Sequence, residues 1–108
     1  MTAGFALQFS TGEFVEVRGA GLVGRAPAAE PGERVDQLVP ITDPTRSVSK
    51  THLAFGIDDG ALWVSDRHSA NGTRVESGGT QRRCEPGRRY RVPRGGRIWI
   101  GDQFIVVG

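Results

Sequence analysis

"HLAFGIDDGALWVSD", residues 52–66, carries the clearest structural signal in the chain. Leu53, Phe55 and Ile57 recur at every second position, and Leu62 and Val64 do so on the return. "DDG" lies between the two runs, and Asp-Gly between alternating apolar segments is a strong hairpin signal. The stretch therefore predicts two antiparallel strands with one face on a core.

The same pattern extends outward in both directions. Upstream, "FALQF" (5–9) alternates, "STG" turns the chain, and "EFVEV" (13–17) sets Phe14 and Glu16 against Val15 and Val17. "GLVG" (21–24) and "QLVPI" (37–41) are shorter candidates, the second weakened by Pro40, which cannot donate to a central ladder. Downstream come "NGTRV" (71–75), "RYRV" (89–92), "RIWI" (97–100), the turn "GDQ" and "FIVV" (104–107). No stretch shows the i, i+3, i+4, i+7 spacing of a helix. "APAAEPGERVDQL" (26–38) has helix-forming residues, but Pro27, Pro31 and Gly32 break it into a loop. Sixteen glycines and six prolines in 108 residues supply the turns that many short strands need. The expectation is an all-β sandwich or barrel of about ten to eleven short strands, with function in its end loops.

A chain of 108 residues suits a single domain, 1–108, with a modest core. Cys84 is the only cysteine, so no internal disulfide exists, and its polar setting in "QRRCEPG" reads as an incidental thiol. "MTAGFALQFSTG" has neither a basic start nor a long apolar run, so no signal peptide or membrane span is expected. A cytoplasmic location follows from that reading. The formal net charge is only +2, but seven arginines fall between 82 and 97: Arg82, Arg83, Arg88, Arg89, Arg91, Arg94 and Arg97. Glu85 is the one acid among them. With Tyr90 and Trp99 nearby, this cluster allows a nucleic-acid surface as the alternative function. Arginines and Pro93 also guard strand edges against unwanted pairing, which is the reading preferred here.

Several catalytic patterns fail on context. "GAGLVG" (19–24) matches G-x-G-x-x-G, but no helix follows to face a pyrophosphate. Ser49, His52 and Asp66 could be drawn as a triad, yet there is no nucleophile elbow. Two histidines and one cysteine lack the spacing of a metal site. No enzyme, metal or cofactor is expected.

Three polar stretches beside strand ends remain: "GR" (24–25), "SVSKTH" (47–52) and "DRHSANGT" (66–73). They hold Arg25, Ser49, the chain's single lysine Lys50, Ser69 and Asn71. Arginine binds phosphate oxygens bidentately and stays charged, lysine adds a point charge, and hydroxyls fill the remaining lone pairs. Together they form the donor set that a phosphate dianion needs.

In order and spacing, "GR … SVSKTHL … DRHSANGT" resembles the forkhead-associated (FHA) domain of the bacterial type, and the resemblance runs from about residue 5 to 107. It implies an eleven-stranded β-sandwich that binds phosphothreonine peptides through loops at one end. Arg25 would hold the phosphate, Ser49 would donate its hydroxyl to it, and Lys50 would reach the phosphate or the peptide backbone. Asn71 would hydrogen-bond the backbone beside the phosphothreonine. Ser69 joins this set, although the family's extra hydroxyl position is here Ala70. His52 would brace the loop that presents Ser49, Gly24 would support the Gly-Arg step, and Gly72 would permit the turn after Asn71. Arg46, Arg67 and His68 would read neighbouring residues and favour acidic or polar ones. The implied partner is a phosphothreonine-bearing protein, or a flanking segment of the parent chain, marked by an upstream serine/threonine kinase. A phosphate-independent interaction domain on the same fold is a further alternative, against which an intact Arg25 and Ser49 weigh.

Overall fold

The hairpin forms where the alternation places it. β5 (Leu53–Asp58) and β6 (Ala61–Asp66) pair antiparallel in the register Phe55↔Val64. Asp59 and Gly60 turn the chain with φ of 51° and 75°, the pair of positive values that a two-residue turn of matching twist requires. Leu53, Phe55, Leu62 and Val64 are fully buried. Ile57 continues the same row but stays partly exposed, because β5 pairs with β3 (Gly21–Gly24) only as far as Phe55.

The computed structural model describes residues 4–108. Residues 1–3, which begin the N-terminal stretch read above, lie outside the described residues. Eleven strands form two sheets, with no helix among the described residues. The remaining strands are β1 (Ala6–Phe9), β2 (Phe14–Glu16), β4 (Gln37–Pro40), β7 (Thr73–Ser77), β8 (Thr80–Arg83), β9 (Arg89–Arg91), β10 (Arg97–Ile100) and β11 (Gln103–Val107). One sheet has the order β2-β1-β11-β10-β7-β8, the other β4-β3-β5-β6-β9. The two inner faces share one core that includes Leu7, Phe9, Val23, Phe55, Leu62, Ile98, Ile100 and Ile105.

Three local outcomes bear on the site. β4 runs parallel to β3 as an edge strand, which is where Pro40 costs no ladder bond. A parallel pair needs a long crossover, and residues 25–36, broken by their prolines, provide it. β8 had no apolar alternation to announce it, since all four of its residues are exposed. Gly78 and Gly79, with φ of 57° and 81°, fold it back on β7. Asn71-Gly72 does not close a hairpin. It ends the loop that carries the chain from β6 in one sheet to β7 in the other. Cys84 is buried despite its polar neighbours, and burial pushes its thiol up to about 11, leaving it unreactive.

Phe55 is the largest fully buried side chain. Phe55→Ala should lower unfolding stability by about 3–5 kcal/mol, read as a shifted urea midpoint at unchanged slope.

Candidate functional site

The three polar stretches meet at one end of the sandwich, held together by backbone contacts. β3 ends in Gly24, and a methyl group there would lie 1.8 Å from the Lys50 carbonyl oxygen. Only glycine lets the two backbones come this close. The approach allows the Arg25 amide to donate to Ser49 O (3.1 Å) and the Ala26 amide to Lys50 O (3.1 Å). Arg25 Nε donates to Val48 O at 2.6 Å, which orients the guanidinium and leaves its two terminal nitrogens without a partner among the described residues. Arg25 and Lys50 are exposed, and neither forms an ion pair among the described residues.

Ser49 connects to the next loop. Its Oγ accepts from the Ala70 amide at 3.0 Å, so the hydroxyl proton stays available to a ligand. Asn71 Nδ2 donates to Ser47 O at 2.8 Å, which ties the side chain to the same loop while Asn71 itself remains exposed.

His52 lies beneath both loops with no exposed surface. Its Nδ1 accepts from the Ser49 amide (3.0 Å), and its Nε2 faces Gly72 O at 2.9 Å. These partners demand the neutral tautomer with the proton on Nε2. Burial pushes its pKa below the ordinary histidine value, against smaller opposing effects of the Gly72 carbonyl and the Asp66 and Asp43 charges. With both ring nitrogens committed to backbone, neither serves as a base for the Ser49 hydroxyl. Gly72, at φ 81°, supplies the left-handed turn that presents its carbonyl.

Each loop is wound around a buried carboxylate that the sequence reading did not assign to the site. Asp43 accepts from Thr45 N and Oγ1, Ser47 N (2.7 Å), Val48 N (2.8 Å) and Gln103 Nε2 (2.8 Å). Its burial opposes ionisation, but the bonds from Thr45, Gln103 and Val48 outweigh that and hold the carboxyl far below its usual range. Asp66 accepts from Ser69 N, Ser69 Oγ (2.5 Å) and Thr73 Oγ1 (2.7 Å). The available signal was Asp followed within two to four residues by serine or threonine, the pattern of side-chain-closed turns.

Two expectations need correction. The hydroxyl proton of Ser69 points inward to Asp66, and its oxygen accepts from the Gly72 amide at 3.0 Å. Ser69 therefore builds the loop and has no donor left for a ligand. Arg67 is not a free reader either. Its guanidinium grips Glu33 through Nη1 (2.7 Å) and Nη2 (3.1 Å), fastening the 25–36 crossover to the site. Arg46 and His68 are exposed, with φ of 56° and 53°. Of the three described non-glycine residues with positive φ, these two lie in the candidate site loops, where backbone strain often accompanies function.

Five of the seven clustered arginines lie near aromatic rings. Arg82 and Arg88 lie about 6 Å from the Tyr90 ring centre, Arg89 lies 3.9 Å over Trp63, Arg94 4.1 Å over Phe5, and Arg97 4.8 Å over Phe104.

A model of the FHA domain matches residues 21–101, three quarters of the chain and all three polar stretches. The chain belongs to the FHA family. Solved FHA domains share its fold. That of an Arabidopsis thaliana hypothetical protein has a TM-score of 0.73 at 24% identity, covering 99% of this chain and 86% of that one. The FhaA FHA domain, solved in complex with the intracellular domain of Rv3910, has a TM-score of 0.69 at 24% identity, covering 96% and 99%. The human APLF FHA domain, solved with an XRCC1 bisphospho peptide, has a TM-score of 0.70 at 22% identity, covering 97% of each chain. No curated protein sequence matches the chain. Within this FHA domain no helix is long and apolar enough to cross a membrane among the described residues.

The buried neutral His52 gives the domain a pH dependence. A depressed folded pKa means the unfolded chain takes up the proton first, so stability is complete above about 6.5 and falls as pH drops below it. Urea midpoints measured from pH 7.5 to 5 should decline for the wild type. His52→Asn, less stable throughout, should lose that slope.

Proposed function

We propose that this FHA domain is a non-catalytic reader of phosphothreonine on partner proteins, acting in the cytoplasm downstream of a serine/threonine kinase. The observation that carries the reading is the convergence of Arg25, Ser49 and Asn71 on one end of the sandwich, each oriented by a backbone bond and each with donors unused among the described residues. Arg25 is assigned to the phosphate, Ser49 to a further phosphate oxygen, Lys50 to charge beside it and Asn71 to the peptide backbone. FHA domains of the same fold were solved with a phosphopeptide and for phosphothreonine-dependent interactions.

Physical chemistry sets the scale. Hydrogen bonds to a charged group contribute roughly 1.5–3 kcal/mol each, and three or four, less ordering costs, correspond to about micromolar binding. A glutamate substitute offers less charge and one oxygen fewer, so it should bind poorly. The threonine methyl at about 0.8 kcal/mol favours phosphothreonine over phosphoserine by only about fourfold.

The test is calorimetric titration with one peptide pool in phosphothreonine, phosphoserine and unmodified forms. Wild type should bind the phosphothreonine pool, and Arg25→Ala should weaken binding by a hundredfold or more, about 3 kcal/mol or above. Gly24→Ala leaves every ligand donor in place but pushes the Ser49–Lys50 backbone away from Arg25, so it should also weaken binding. Equal binding of phosphorylated and unmodified pools would refute the reading.

A further inference from the structure

One outward-facing row of the six-stranded sheet runs Phe104, Trp99, Arg74, Arg83, each residue directly opposite the next on the neighbouring strand. The row ends beside the proposed phosphothreonine site. A methyl on Gly72 would lie 3.0 Å from Arg83 Nη2, so the guanidinium rests against the residue that follows Asn71.

Arg74 and Arg83, like Arg91 on the other sheet, lack the partners that neighbouring arginines have. Both are exposed. Among the described residues neither has an ion-pair partner, a side-chain hydrogen bond or an aromatic ring beneath it. Like charges directly opposite on adjacent strands destabilise a sheet. Edge protection accounts for a charge on β8, which is an edge strand, but not for a second one facing it from β7, which lies inside the sheet. An anion between the two would turn the repulsion into a clamp.

We propose that Arg74 and Arg83 form a second anion site, contiguous with the phosphothreonine loops, for a carboxylate or a second phosphate on the same bound peptide. The inference rests on the phosphothreonine reading and adds a specificity determinant to it. A peptide is favoured over nucleic acid because the pair adjoins the loops assigned to phosphothreonine, with the Arg83 guanidinium against Gly72.

The experiment uses an alanine-flanked phosphothreonine peptide in which each flanking position in turn carries Ala, Glu or phosphoserine. Each peptide is titrated against wild type, Arg74→Gln and Arg83→Gln. At one position Glu should improve wild-type binding by about three- to fivefold, and phosphoserine by about tenfold. Both gains should vanish in the two variants, while the alanine-flanked parent binds all three proteins alike. A larger gain for phosphoserine identifies a second phosphate as the ligand, and equal gains identify a carboxylate. If the parent binds but no position gains, or the gain survives in both variants, this inference falls and the phosphothreonine reading stands. If the parent does not bind wild type, both fall together. Binding of a short DNA duplex that both variants weaken, without any peptide gain, assigns the pair to nucleic acid and overturns the proposal.

Discussion

His52 accepts from the Ser49 amide on one side and donates to the Gly72 carbonyl on the other, and the two bonds require a single neutral tautomer. Among the described residues no other side chain bonds directly to the backbone of both loops that carry Ser49 and Asn71. The ring is fully buried, so either bond, if broken, would leave an unsatisfied polar group in the interior. That penalty makes the loop spacing a property of the core rather than of the surface. The polar groups at the rim above inherit a geometry that solvent cannot loosen.

The same logic recurs on either side of the imidazole. Asp43 and Asp66 each sit under a loop and accept several inward bonds from serine, threonine and backbone donors. Polar side chains that look available in the sequence are spent on these carboxylates, Ser69 above all. What remains at the rim is mostly cationic: Arg25 and Lys50, with Arg46 exposed nearby. Negative charge is held below the loops and positive charge above them, a distribution suited to receiving a dianion. Gly24 completes the arrangement by letting β3 touch the Ser49–Lys50 backbone, which sets Arg25 beside Ser49.

The arginine-rich segment shows how composition can mislead. Seven arginines in sixteen residues suggest a polyanion surface. In the fold, most lie within about 6 Å of the ring centres of Tyr90, Trp63, Phe5 and Phe104. Arg83 belongs instead with Arg74, a residue outside the cluster, because strand pairing sets them opposite one another.

Local rules were enough for much of this protein. Period-two alternation at 53–64, Asp59-Gly60 and the prolines of 26–38 specified strands, a turn and a loop without tertiary help, since each depends on neighbours within a few residues. The order of "GR", "SVSKTH" and "DRHSANGT" likewise placed the candidate site and its family. β8 escaped notice because four exposed residues carry no periodicity, and only the Gly78-Gly79 turn and its partner β7 make it a strand. The inward turn of Ser69, the Arg67–Glu33 clamp and the opposition of Arg74 to Arg83 were decided by tertiary structure alone. Each depends on which residues meet across a loop or a sheet, and the direction of a hydroxyl or a guanidinium is set by the partner it finds there.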